Sequence, residues 1–148
     1  MTEMDKIKQV AAERARALNL PYAGALLPGE AHAMMQAGAR LVDVRTRAEL
    51  DWVGRVPDSV HVEWNSYPGG APNPEFLAQL GAAVRPPEPV MFLCRSGGRS
   101  HNAAVAAAAT GYAEAYNVLE GFEGDKDPGQ HRNTVGGWRK HGLPWIQS

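Results

Sequence analysis

The chain has 148 residues, the size of one ordinary domain, and its 44% hydrophobic content is enough for one substantial core. Lys and Arg number 15 against 16 Asp and Glu, a net charge of −1, which excludes the global basic field of a nucleic-acid binder. The longest apolar run, Ala103 to Ala109, is too short to cross a bilayer, and Met1 to Lys6 lacks the apolar stretch of a signal peptide, so a cytoplasmic protein with no membrane partner is expected.

Met4 to Leu20 places Ile7, Val10, Ala11, Arg14, Ala17 and Leu18 at helical spacing, which predicts an amphipathic helix ending at Asn19 and Pro21. The expected organisation is an N-terminal segment, residues 1–22, that carries this helix and packs on a single domain of residues 23–148 with a loop-rich tail. Ala23 to Leu27 reads as a short edge strand, and Pro28-Gly-Glu30 opens a helix to about Gln36. Arg40 to Val44 is a strand whose end delivers Asp43 and Arg45, Arg47 to Val53 a short helix, and Ser59 to Val62 the next strand. Tyr67 to Pro74 is too rich in Pro and Gly for regular structure. Glu75 to Ala83 returns to helix, Val90 to Leu93 is a buried strand, Asn102 to Ala109 a small-residue helix, and Glu114 to Leu119 a fifth strand. Strands alternating with helices predict an α/β fold, a parallel sheet covered on both faces with its site at a strand's C-terminal end.

The one cysteine, Cys94, follows the fourth strand and begins Cys94-Arg95-Ser96-Gly97-Gly98-Arg99-Ser100. A single cysteine excludes an intrachain disulfide and a cysteine-rich zinc site, and His32, His101, His131 and His141 show no ligand spacing, so no metal is expected. The unpartnered N–H groups and dipole of a strand-to-helix turn favour an anion, so a thiolate is stabilised there. Gly97 and Gly98 let N–H groups converge, while Arg95 and Arg99 add positive charge. Four residues separate Cys94 from Arg99. Cysteine phosphatases that use such a cradle carry one more, which gives a ring wide enough for phosphate. The tighter loop suits one extra sulfur on the cysteine. It also carries no general acid for a leaving oxygen.

These motifs resemble a single-domain rhodanese, whose active loop reads Cys-x-x-Gly-x-Arg-Ser or Thr, here Cys94, Gly97, Arg99 and Ser100. Leu41-Val-Asp43-Val-Arg45 with Glu49, and Gly54-Arg-Val-Pro57-Asp-Ser-Val-His61, match further family segments, with Asp58 in place of a usual glycine and Arg55 in place of a common histidine. The resemblance implies a rhodanese-like domain with a five-stranded parallel sheet. It also implies a sulfurtransferase that needs no cofactor and carries a sulfane sulfur on Cys94. A small anionic donor such as thiosulfate loads it, and a thiol, cyanide or protein sulfur acceptor discharges it. The alternatives are a non-catalytic persulfide carrier or binding module and a cysteine phosphatase or arsenate reductase.

Within the loop, Arg95 is expected to attract the donor at the mouth, the resemblance implies that Arg99 fixes the cradle, and Ser100 is read as the helix N-cap or as a donor to the sulfur anion. Asp43 and Arg45 are supporting candidates, with Asp43 bonded to loop backbone and Arg45 paired with Glu49 as the structural alternative. Trp64 is a candidate pocket wall. The tail from Gly121, with Trp138 and Trp145, either docks on the domain or edges the pocket together with the 67–74 loop.

Overall fold

The computed structural model describes residues 1–147. In chain order the elements are α1 (Glu3–Ala17), β1 (Gly24–Leu26), α2 (Pro28–Gln36), β2 (Arg40–Asp43), α3 (Arg47–Val53), β3 (Val60–His61), α4 (Phe76–Ala83), β4 (Val90–Leu93), α5 (Gly98–Ala109) and β5 (Ala115–Val118). The strands form one five-stranded sheet in the order β1-β5-β4-β2-β3, parallel throughout. The α/β architecture read from the alternation of elements is therefore the one observed, with β1 at an edge.

β4 lies at the centre, paired to β2 on one side and β5 on the other. Its four residues are all buried, because helices cover both faces and a strand buried on two sides carries apolar residues without alternation. Val90 and Phe92 face a cluster completed by Phe76 and Leu80 of α4 and Ala103, Ala104 and Ala107 of α5. Met91 and Leu93 face the opposite cluster, with Ala11 of α1, Ala31 and Met34 of α2, and Phe122 and Trp138 from the tail. Alanines along the inner face of α5 let that helix lie close to the sheet. The chain therefore leaves β4 at the C-terminal edge of the sheet, between two layers of helix, and Cys94 is the first residue out.

The start of α5 differs from the sequence reading. α5 begins at Gly98, four residues before the expected Asn102. Its first turn is Gly98-Arg99-Ser100-His101, which carries none of the apolar spacing that marks a helix. Ser100 is consequently inside the helix, and the N-cap is Gly97 with φ 110°, a left-handed conformation that favours glycine. Asp58, standing where glycine is usual in the resembling family, adopts φ 66° and keeps the turn, as aspartate tolerates that region better than most residues.

The tail docks. Trp138 is fully buried and donates from its indole nitrogen to the Pro144 carbonyl at 2.8 Å, and Ile146 forms an antiparallel bridge with Arg55 through two 2.8 Å backbone hydrogen bonds. Burying a side chain of this size contributes about 2–3 kcal/mol, enough to hold a segment with no strand or helix of its own.

Candidate active site

Cys94 is 1% exposed and lies at the floor of the β4–α5 turn. Gly97 donates its backbone N–H to Cys94 Sγ at 3.1 Å, and Ser100 Oγ stands 3.3 Å from the same sulfur. The left-handed Gly97 aims its N–H inward, so the glycine serves the sulfur as well as the helix start. Ser100 is not the N-cap, and its hydroxyl donates to Asn117 Oδ1 of β5 at 2.6 Å, so in this arrangement it presents a lone pair to the sulfur and not the hydrogen of the expected donor. Asn117 in turn bonds the Gly97 carbonyl at 3.3 Å, closing a ring of contacts around the turn.

Arg99 turns away from the sulfur to Glu49 of α3. Its guanidinium donates to both carboxylate oxygens, Nη1 to Oε1 at 2.6 Å and Nη2 to Oε2 at 2.9 Å. Glu49 also completes a capping box with Thr46, accepting from the Thr46 N–H at 3.1 Å. Burial alone would raise the Glu49 carboxyl, but the hydrogen bonds from Arg99 and Thr46 and the Arg99 charge outweigh it and hold the group at about 2. The same pairing raises Arg99, with the charges of Cys94 and Asp43 adding to it. Arg99 therefore staples the first turn of α5 to α3.

Arg45 pairs with Asp43, correcting the expected pairing with Glu49. Both side chains are fully buried, with Nε to Oδ1 at 3.0 Å and Nη2 to Oδ2 at 2.7 Å, and Nη2 also donates to the Gly54 carbonyl at 2.8 Å. Glu49 is four residues on from Arg45, but Arg45 precedes the N-cap Thr46, so the helical i,i+4 geometry does not reach it. Asp43 also accepts the Arg45 backbone N–H at 3.1 Å, the loop-backbone contact that was the alternative reading for it. The remaining Arg45 nitrogen, Nη1, is buried without a hydrogen-bond partner, and the guanidinium lies 4.3 Å from the centre of the Phe122 ring. That ring face offers the charge a cation–π contact in place of a hydrogen bond.

Phe122 connects this pair to the active loop. Its N–H donates to the Cys94 carbonyl at 2.8 Å, and Glu123 and Gly124 both donate to the Arg95 carbonyl, at 3.0 and 3.2 Å. Gly121 passes so close that a Cβ there would fall 2.5 Å from Arg95 backbone atoms and 2.6 Å from the Cys94 carbonyl oxygen. The start of the tail is therefore the outer support of the loop. Sequence reasoning missed this, although the Gly121 between two bulky residues was the signal.

A cavity of about 340 Å³ is lined by Arg95 and Arg99 of the loop, Thr46, Glu49 and Trp52 of the β2–α3 segment, and Asn65, Tyr67 and Gly70 of the Pro-rich region. Arg95 is exposed there, whereas Ser96 and Gly98 are part of the turn and touch neither the sulfur nor the cavity in the contacts described. Trp64, the expected wall, instead stacks edge-on against Phe76 with ring centres 4.9 Å apart and belongs to the core margin. Trp52 and Tyr67 form the wall, at 67% and 61% exposure and with their rings T-shaped at 5.6 Å. Of the two segments considered as pocket edges, the 67–74 loop contributes and the tail supports from behind. A larger cleft of about 530 Å³ between β3 and the 72–74 turn contains no residue of the 94–100 loop, so its size does not make it the reactive site. Among the described residues no group of three His, Cys, Asp or Glu side chains is placed to hold a metal ion, and no helix is long and apolar enough to cross a membrane.

Comparison with known proteins agrees with this geometry. Residues 27–127 match the family model for the rhodanese-like domain. The crystal structure of Rv0390 from M. tuberculosis is 45% identical, covers 86% of this chain and 99% of its own, and superposes with a TM-score of 0.79. An uncharacterized protein of Rickettsia conorii is 35% identical over 72% of this chain and 82% of its own length. The thiosulfate sulfurtransferase GlpE of Pseudomonas savastanoi pv. phaseolicola is 32% identical over 65% of this chain and 80% of its own. With a parallel sheet that delivers a lone cysteine into a glycine–arginine turn, and with this match across most of its length, the chain belongs to the rhodanese-like domain family.

Proposed function

We propose that the protein is a sulfurtransferase that moves a sulfane sulfur from a donor such as thiosulfate to a thiol or cyanide through a persulfide on Cys94. The observation that carries this reading is the sulfur's position, buried in a turn with one backbone N–H and one hydroxyl within hydrogen-bonding distance. The Cys94 thiolate attacks the outer sulfur of thiosulfate, the sulfur–sulfur bond of the donor breaks, and sulfite leaves with the bonding pair. An acceptor nucleophile then attacks the outer sulfur of the persulfide and the Cys94 thiolate leaves, ready for a second cycle. Gly97 N–H stabilises the sulfur anion at both stages, as an oxyanion-hole donor does for an alkoxide, and the Ser100 hydroxyl joins it by turning its hydrogen from Asn117 to the sulfur. Arg95 draws the anionic donor into the cavity, and Arg99 holds the turn.

The short loop also supports sulfur over phosphoryl transfer, since four residues between Cys94 and Arg99 leave room for an added atom but not for the equatorial oxygens of a phosphate. A small inorganic anion fills only a fraction of the 340 Å³ cavity, and the Trp52–Tyr67 wall supports an organic thiol, free or on a protein, as acceptor. A reducing compartment such as the cytoplasm would keep the nucleophile available. The test is thiocyanate release from thiosulfate and cyanide. The wild-type chain turns over and Cys94→Ser does not, with both retaining the same circular dichroism. Thiocyanate release by Cys94→Ser, or hydrolysis of a phosphate ester by a wild-type chain that releases no thiocyanate, overturns the proposal.

A further inference from the structure

The two residues that touch the sulfur are both held by one side chain from another strand. Gly97 N–H reaches Cys94 Sγ at 3.1 Å, and Ser100 Oγ stands 3.3 Å from it. Asn117 of β5 meets both: its Oδ1 accepts the Ser100 hydroxyl at 2.6 Å, and its Nδ2 donates to the Gly97 carbonyl at 3.3 Å. Asn117 and Ser100 are 3% and 0% exposed, so solvent does not replace a partner that either one loses.

The amide has one workable orientation. Turned over, it would set Oδ1 against the Gly97 carbonyl, two acceptors with no hydrogen between them, so Nδ2 faces Gly97 and Oδ1 faces Ser100. An amide oxygen has no hydrogen to give and a hydroxyl has only one, so the bond between them uses the Ser100 hydrogen. Ser100 then presents a lone pair to the sulfur, which accepts the S–H of a thiol and repels a thiolate. Forming the anion turns that hydrogen to the sulfur and leaves the buried Asn117 oxygen without a donor, which disfavours the anion. Gly97 N–H is outside this competition, because Asn117 takes the carbonyl of that residue and leaves its N–H to the sulfur.

We infer that Asn117 is a positioning residue that competes with the Cys94 sulfur for the Ser100 hydrogen and so sets how readily the thiolate forms. The inference rests on the sulfurtransferase reading for its catalytic meaning, since the same anion attacks in the first half-reaction and leaves in the second. No bond between heavy atoms changes. The thiol proton passes to solvent, and the Ser100 hydrogen rotates from Asn117 Oδ1 to Cys94 Sγ. The titratable groups around the cysteine are Arg95 and Arg99 of its own turn, Glu49 of α3 bonded to Arg99, and the buried Asp43–Arg45 pair at the end of β2. Tyr22 shares the buried cluster of Cys94, with His101 Nδ1 2.7 Å from its hydroxyl. All of these groups are retained when Asn117 is replaced by an apolar residue.

The experiment is the pH profile of Cys94 alkylation by iodoacetamide in the full chain, which needs no sulfur donor. Asn117→Leu keeps the side-chain shape and removes the acceptor, so the Ser100 hydrogen goes to the sulfur. The midpoint then moves to lower pH, by about fivefold in proton concentration, the worth of one ordinary hydrogen bond. In a Ser100→Ala background the same substitution leaves the midpoint in place. Asn117→Ala moves it in the same direction and serves as the test if circular dichroism shows the leucine variant to be poorly folded. A loosened turn would act without the Ser100 hydroxyl and would weaken the Gly97 contact, raising the midpoint. A midpoint that is unmoved or higher, or a shift that persists in Ser100→Ala, therefore overturns the inference. A shift that depends on Ser100, in a chain that thiosulfate cannot load, would support the role of Asn117 while removing the sulfurtransferase reading.

Discussion

Replacing Asp43 by asparagine tests the claim that a buried ion pair supports the active loop from below. Asp43 and Arg45 are both fully buried, and the carboxylate takes three hydrogen bonds from the guanidinium, at 2.7, 3.0 and 3.1 Å. The Asp43→Asn substitution would leave the Arg45 charge in place with a neutral partner, while Nη1 already lacks a hydrogen bond. Removing one member of a buried pair costs about 3–5 kcal/mol, because the surviving charge stays desolvated. The Gly54 carbonyl and the Phe122 ring still face Arg45, which places the expected loss near the lower end, about 3 kcal/mol. For a chain of this length that corresponds to a fall in Tm of about 6–12 °C. Urea unfolding of both proteins at pH 7, with an unchanged m-value, gives the difference directly. Because Phe122 holds the Cys94 carbonyl, thiocyanate turnover should fall in Asp43→Asn even at temperatures where the variant is fully folded. A loss below about 1 kcal/mol would refute the reasoning, since it would mean that the guanidinium is solvated or neutralised by another route.

Three further outcomes are expected. Glu49 sits at about 2 in the folded chain against an ordinary 4.5, so its contribution is fully present above about pH 4.5 and is lost as pH falls through about 2. Partial exposure of the pair limits that contribution to about 1–2 kcal/mol, and the stability gap between wild type and Glu49→Gln should narrow over that window in urea titrations. Gly121→Ala places a methyl group against the Cys94 and Arg95 backbone at a φ of 67°, and should cost about 2–4 kcal/mol and slow sulfur loading; wild-type loading rates would contradict the supporting role given to this turn. Arg95→Ala should raise the KM for thiosulfate about tenfold with little change in stability, whereas Arg99→Ala should lower stability and slow both half-reactions, and equal effects of the two on KM alone would contradict the division between them.

What the sequence disclosed and what it withheld follow from the range of the interactions. The strand before Cys94 and the helix after it were legible because Val90 to Leu93 is a continuous apolar run and the alanines of α5 allow little else. The helix start was not, since Gly97-Gly98-Arg99-Ser100 reads as a breaker, and only the left-handed Gly97 shows that the helix begins inside it. Arg99 was recognised as a loop-fixing residue, but its partner lies 50 positions earlier and becomes visible only when β2 and β4 pair side by side. Arg45 had two acidic neighbours at plausible separations, and the choice between them depended on Arg45 lying before the cap of α3. Trp64 follows β3 closely in sequence, but closeness to a strand end does not make a side chain part of the pocket. The chain places Trp64 on Phe76 and brings Trp52 to Tyr67 instead.

The most direct test of the account is the intact mass of the purified chain before and after thiosulfate, followed by peptide mapping and cyanide treatment. The account predicts a gain of one sulfur atom located on Cys94, stoichiometric with sulfite released and discharged by cyanide as thiocyanate. An unchanged mass under conditions where Cys94 still reacts with iodoacetamide would contradict it, because the nucleophile would then be reachable and yet unable to take the sulfur.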